Sequence, residues 1–136
     1  MIRPICRDTM ILSQKAAPAT PADAQVITDL NDTLRAHLEG CVGMAANMIG
    51  IPKRIIVIAL GSMILTMVNP VILERSGPYE AEEGCLSLSG VRRAKRYRSI
   101  TVSWQDVGFA PHRMTYDGFA AQIIQHEVDH LEGILI

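Results

Sequence analysis

The stretch Gln122 to Gly133, QIIQHEVDHLEG, sets His126 and His130 four residues apart, with Glu127 directly after the first histidine. On an α-helix, positions i and i+4 share one face, a turn apart. Two neutral imidazoles so placed can bind one divalent metal, and the glutamate between them can act as general base toward water. The competing reading is a polar helix whose histidines are solvated or merely packed, because the pattern is short. A catalytic metal of this kind needs a third protein ligand and an open position. The segment EEGCLSLSG offers that ligand, because Cys85 stands between Gly84 and Leu86, where a glycine lets the backbone approach a ligand closely. A lone cysteine is otherwise a small buried hydrophobe. The two signals together are more specific than either alone.

These side chains need a scaffold, and 136 residues suit one domain, 1–136, with a core of its own. The composition, 49% hydrophobic with a net charge of -1, is ordinary for a globular chain. It gives no electrostatic reason to expect nucleic acid or a membrane surface as main ligand. Cys6, Cys41 and Cys85 are odd in number and lack framework spacing, which argues against a disulfide scaffold. Pro4 and nearby charges stand where a secretory signal would be apolar. The run RIIVIALGSMILTMVNPVIL is broken by Gly61, Ser62, Asn69 and Pro70, so it reads as two buried strands and not a membrane span. A reducing cytoplasm is the expected compartment.

Along the chain, Thr20, Pro21 and Asp23 carry N-cap, N1 and first-turn chemistry. Val26, Ile27, Leu30, Leu34 and Leu38 follow at helical spacing up to Gly40, which predicts an amphipathic helix over roughly 21–39. Strands are predicted over 54–60, 64–73, 99–106 and 112–116. Asp117 can cap a second helix that runs to about Leu131 and ends at Gly133. One helix, then strands, then one helix is an α+β order.

EGCLS at 83–87, followed by QHEVDHLEG at 125–133, resembles the peptide deformylase family, and GMAA at 43–46 supplies part of a third family motif, all in family order. The resemblance runs over almost the whole chain. It implies antiparallel or mixed β-sheets packed around a central metal-binding HExxH helix. It also implies that Cys85, His126 and His130 hold one divalent ion, ferrous iron natively, with zinc, nickel or cobalt able to take its place. Softness of the donors does not choose among these metals.

The implied reaction is hydrolysis of the formyl group from N-formylmethionyl peptides. Glu127 would move the proton from water to the leaving amine. The backbone N–H of Leu86 and a first-motif glutamine would meet the oxyanion. That glutamine is absent: the family pattern Gly-x-Gly-aliphatic-Ala-Ala-x-Gln reads here from Cys41 to Met48. A thioether cannot donate a hydrogen bond. Asn47, next to Met48, is one conceivable substitute donor. Gln122, one turn before His126 on the same face, is the other. The family has an apolar residue there, so Gln122 can polarise the methionine pocket or be simply a wall or surface residue.

The resemblance further implies that Val42 and Gly43 pair with the substrate backbone and that Gly84 lies beside it. Phe119 and Ile123 would line the methionine pocket, although a stripe of this kind is more often plain core. RRAKRYR at 92–98 carries five positive charges and reads mainly as a solvated strand or loop face. RNA contact is the alternative. Arg92 is the exception, matching a residue that contacts substrate past the methionine.

The chain stops at GILI, three residues past Gly133. The C-terminal extension through which relatives can dock on the ribosome is not expected, so the resemblance does not carry that docking over and leaves ribosome association open. A monomer is expected, with no membrane or specific nucleic-acid partner. Competing readings are a catalytically impaired relative that binds formylated N-termini, and an amidase for another small N-acyl group. A structural zinc module has no use for Glu127.

Overall fold

The computed structural model describes residues 1–85 and 88–134, with the backbone alone at 88 and 89. Five strands form one sheet in chain order: β1 (Gly43–Ala45), β2 (Ile55–Leu60), β3 (Met63–Cys85), β4 (Leu88–Gln105) and β5 (Pro111–Asp117). Every strand pair is antiparallel, which corrects the allowance for mixed sheets. Among the described residues the parallel contact is an isolated bridge, Ala17 to Lys53. The reason is connectivity: each strand hands over to its neighbour through a short connection, and parallel pairing needs a long crossover.

β2 explains how the sheet is held from both sides. Successive strand residues point to opposite faces. Ile55 and Val57 pack with Ile27, Leu30 and Leu34 of α2 (Ala24–Ala36), while Ile56 and Ile58 pack with Ile124, Val128 and Leu131 of α3 (Gly118–Leu131). A strand covered on both faces needs no alternation, which is why IIVI is a continuous apolar run. A short α1 (Thr9–Leu12) precedes these elements.

The first long helix is shorter than the 21–39 read from the sequence. Pro21–Asp23 forms a 3-10 turn in which the Thr20 N–H donates to Asp23 Oδ2 at 2.9 Å, and the helix then runs from Ala24 to Ala36. It ends with the His37 N–H bonded to Leu34 O, short of Gly40. α3 begins after Asp117 and ends at Leu131.

The larger difference lies in the hairpin. β3 continues from the expected 64–73 out to Cys85, and β4 begins at Leu88, ahead of the expected 99–106. The extension alternates in a way that hydropathy does not reveal. Tyr79, Ala81 and Glu83 sit opposite Arg96, Ala94 and Arg92 on the inward side. Glu80 and Glu82 face Lys95 and Arg93 on the exposed side, where opposite charges across the ladder support pairing modestly. RRAKRYR is therefore a two-faced strand: Arg93, Lys95 and Arg98 are exposed, Arg92 is half-buried and Arg96 is buried.

Candidate metal centre and catalytic cleft

α3 places the two histidines as its spacing predicts. Nε2 of His126 and Nε2 of His130 stand 3.1 Å apart, and Cys85 Sγ, at the end of β3, lies 3.4 Å from His130 Nε2. All three donor atoms lie within 4.8 Å of one another. A tetrahedral ion with bonds of about 2.0–2.3 Å to nitrogen and sulfur separates its ligand atoms by roughly 3.3–3.6 Å. The three donors fit such an ion. A second observation agrees: Glu127 Oε1 is buried beside them with no hydrogen-bond partner among the described residues.

The imidazole of His126 is aimed from behind. Its Nδ1 lies 2.8 Å from Glu83 Oε1, so the N–H is spent on the carboxylate and the Nε2 lone pair faces the cluster. Glu83 is itself fixed. Arg96 donates to it from Nε at 2.9 Å and from Nη2 at 2.6 Å, and Gln122 Nε2 donates to Oε2 at 3.0 Å. Arg96 Nη1 then reaches Asp129 on α3 at 2.7 Å, tying strand and helix together.

Charge follows this wiring. Burial alone would raise the Glu83 pKa, but hydrogen bonds from His126, Arg96 and Gln122 outweigh it and bring the value down to about 2. Burial pulls His126 down as well, yet the hydrogen bonds to Cys85 and Glu83 lift it to about 10. Burial and the neighbouring His126 charge push His130 down to about 3. Burial pushes Glu127 up to about 7. In the metal-free site the imidazolium charge therefore falls to His126, and His130 stays neutral.

Sequence reasoning missed Glu83, Arg96 and Asp129 as parts of this centre. One signal was available: the two-residue strand period that runs back from Cys85 puts Glu83 on the ligand side.

The donors open into a cleft of about 540 Å3 whose wall includes Val42, Gly43, Gly84, Phe119, Gln122 and Ile123. Glu127, His126, Cys85 and Met48 line it too, while His130 is fully buried. β1 is an edge strand of the sheet, bonded to β2 on one side. At Gly43 a Cβ would lie 2.7 Å from Ile123 Cγ2 and 3.0 Å from Glu127 Oε2, so only glycine lets this edge lie against the glutamate. Arg92 sits in β4 opposite Glu83 and is not part of the cleft wall. Leu86, the expected backbone donor, lies outside the described residues.

The residues around the missing glutamine are committed elsewhere. Met48 is 1% exposed, and its Sδ lies 3.5 Å from the Ala45 N–H. Asn47 is fully buried, and its Nδ2 donates to His130 O at 3.1 Å and to Gln14 O at 3.3 Å. Both amide hydrogens bind backbone, so Asn47 is a strut and not a substitute donor to the cleft.

The polypeptide deformylase family model matches residues 2–136. The peptide deformylase of Clostridium beijerinckii is 56% identical over 136 residues, covering 100% of both chains. Among solved structures, peptide deformylase from Thermotoga maritima matches with a TM-score of 0.90 and 30% identity, covering 99% of this chain and 95% of that one. The class I type b enzyme from Acinetobacter baumannii, with Met-Ala-Ser bound, matches with a TM-score of 0.89 and 31% identity over 99% of this chain and 97% of that one. The chain belongs to the peptide deformylase family, hydrolases that remove the formyl group from nascent peptides.

Proposed function

We propose that this chain, acting as a single domain, hydrolyses the formyl group of N-formylmethionyl peptides with one divalent ion held by Cys85, His126 and His130. The observation that carries the reading is the convergence of these three donors beside the buried Oε1 of Glu127, which has no hydrogen-bond partner among the described residues, at the base of an open cleft. When bound, the ion would polarise the formyl carbonyl and acidify a water. Ferrous iron is the proposed native ion, and zinc, nickel or cobalt suit the same donors.

Glu127 takes a proton from the attacking water at a carboxylate oxygen and returns it to the amine nitrogen as the C–N bond breaks. The products are formate and a peptide with a free amino group. Glu83 and Arg96 keep His126 in one tautomer and orientation throughout. The edge of Val42 and Gly43 pairs with the peptide backbone, with Gly84 opposite. Phe119, Ile123 and Gln122 receive the first side chain. Arg92 serves the peptide backbone beyond that residue. The Leu86 N–H is the proposed oxyanion donor, and Met48 contributes none, so turnover is slower than with a glutamine there.

Met-Ala-Ser is bound in the similar Acinetobacter baumannii enzyme, which makes formyl-Met-Ala-Ser a natural test substrate. The chain, prepared anaerobically with iron or nickel, should release formate from it. Glu127→Ala should retain metal and lose activity, and absence of formate release by the metal-loaded protein sinks the reading. Met48 favours a second reading, a relative that binds formylated N-termini with little turnover. The same assay separates the two when combined with peptide-binding measurements. We further propose a cytoplasmic monomer. Among the described residues no helix is long and apolar enough to cross a membrane.

A further inference from the structure

We propose that Gln122 sets the first-residue specificity of the cleft, its anchored amide carbonyl admitting unbranched side chains that end in a hydrogen-bond donor alongside the thioether of methionine. The inference rests on the deformylase reading for the identity of the pocket and goes beyond it in the side chains accepted. Gln122 lines the cleft with Phe119 and Ile123, one turn before His126. Its Nε2 donates to Glu83 Oε2 at 3.0 Å. Glu83 cannot turn away, because Arg96 holds it through Nε and Nη2 and His126 occupies Oε1.

The amide orientation is therefore fixed by chemistry. A flipped amide would press Oε1 against a carboxylate, acceptor against acceptor. With Nε2 on Glu83, Oε1 accepts no hydrogen bond among the described residues. Its neighbours in the wall, Phe119 and Ile123, have no side-chain donor. A thioether packed there leaves the carbonyl desolvated and unpaired, whereas a side-chain N–H or O–H of similar reach satisfies it. Sites that can pair a polar substrate group discriminate by that pairing far more strongly than by shape.

The test compares formyl-Met-Ala-Ser, formyl-norleucyl-Ala-Ser and formyl-Gln-Ala-Ser with the metal-loaded protein and with Gln122→Leu. The wild type should process the glutaminyl peptide within about tenfold of the norleucyl one, and Gln122→Leu should widen that ratio by roughly ten- to a hundredfold. The ratio cancels any change that the variant transmits through Glu83 to His126, because both substrates share it. Binding of the products Met-Ala-Ser and Gln-Ala-Ser by calorimetry gives the same comparison without turnover. An unchanged ratio in the variant would overturn the proposal. So would a wild type that prefers norleucine over glutamine by more than about a thousandfold. Product binding that shows the expected preference without formate release would sink the deformylase reading and leave the role of Gln122 standing.

Discussion

Arg96 and Glu83 form a buried bidentate ion pair across the β3–β4 hairpin, with exposures of 3% and 8%, and Glu83 carries His126 on its other side. The pair is structural cement and ligand support at once. Removing one partner strands a buried charge, which costs about 3–5 kcal/mol. Arg96→Met should therefore lower stability by about that amount in urea unfolding. Adding Glu83→Leu to it should recover part of the loss, since the stranded charge goes with it. Glu83→Gln should also weaken metal binding by about ten- to a hundredfold, read by competition with a chelator.

Glu127 should set the acid limb of the pH–rate profile. Only its carboxylate form can take a proton from water. Burial pushes its pKa up to about 7 in the metal-free site, and the positive charge of a bound cation favours the carboxylate and lowers it. Activity should rise with pH through a limb at or below 7 and then level off. A profile that climbs only well above neutrality would remove Glu127 from this role.

Met48→Gln should raise kcat by about one to two orders of magnitude, approaching the ~10²–10³ that one oxyanion donor is worth elsewhere. The position lines the cleft, and a glutamine oxygen can replace Sδ as acceptor for the Ala45 N–H. The KM for formyl-Met-Ala-Ser should change little, because the new contact strengthens as oxyanion charge develops. A gain confined to KM would place residue 48 in substrate binding instead.

Gly43→Ala should lose activity steeply while the metal stays bound. The added Cβ meets Ile123 Cγ2 at 2.7 Å and Glu127 Oε2 at 3.0 Å, so the edge strand or the glutamate must shift. A displacement of a reacting group by about 1 Å can cost roughly a hundredfold. Steady-state kinetics beside metal analysis would check this, and unaltered kinetics would show that the edge of β1 is not held against Glu127.

The sequence alone determined the histidine–glutamate group of the candidate centre, while Glu83, Arg96 and Asp129 went unread. His126 and His130 share a face because helix periodicity is local, and Glu127 follows directly. Cys85 was legible as the third donor only through its motif, since nothing local joins it to a helix 41 residues on, from Cys85 to His126. The strand cores were legible where they are apolar, as in Ile55 to Leu60. The outer hairpin was not. Its inward positions include Glu83 and Arg96, so both faces read as polar and the two-residue period carries no hydropathy signal. Tertiary structure decided which charges are solvated and which are paired: the Arg96 side chain reaches along the inward face of the hairpin to Glu83, although register sets Arg92 opposite it, and helix packing brings Asp129 to Arg96. It also decided the fate of the two substitute donors: the Asn47 amide is spent on His130 and Gln14, and Gln122 is anchored to Glu83. A residue type states what a side chain can bond, but the partners that claim it are fixed only when distant segments meet.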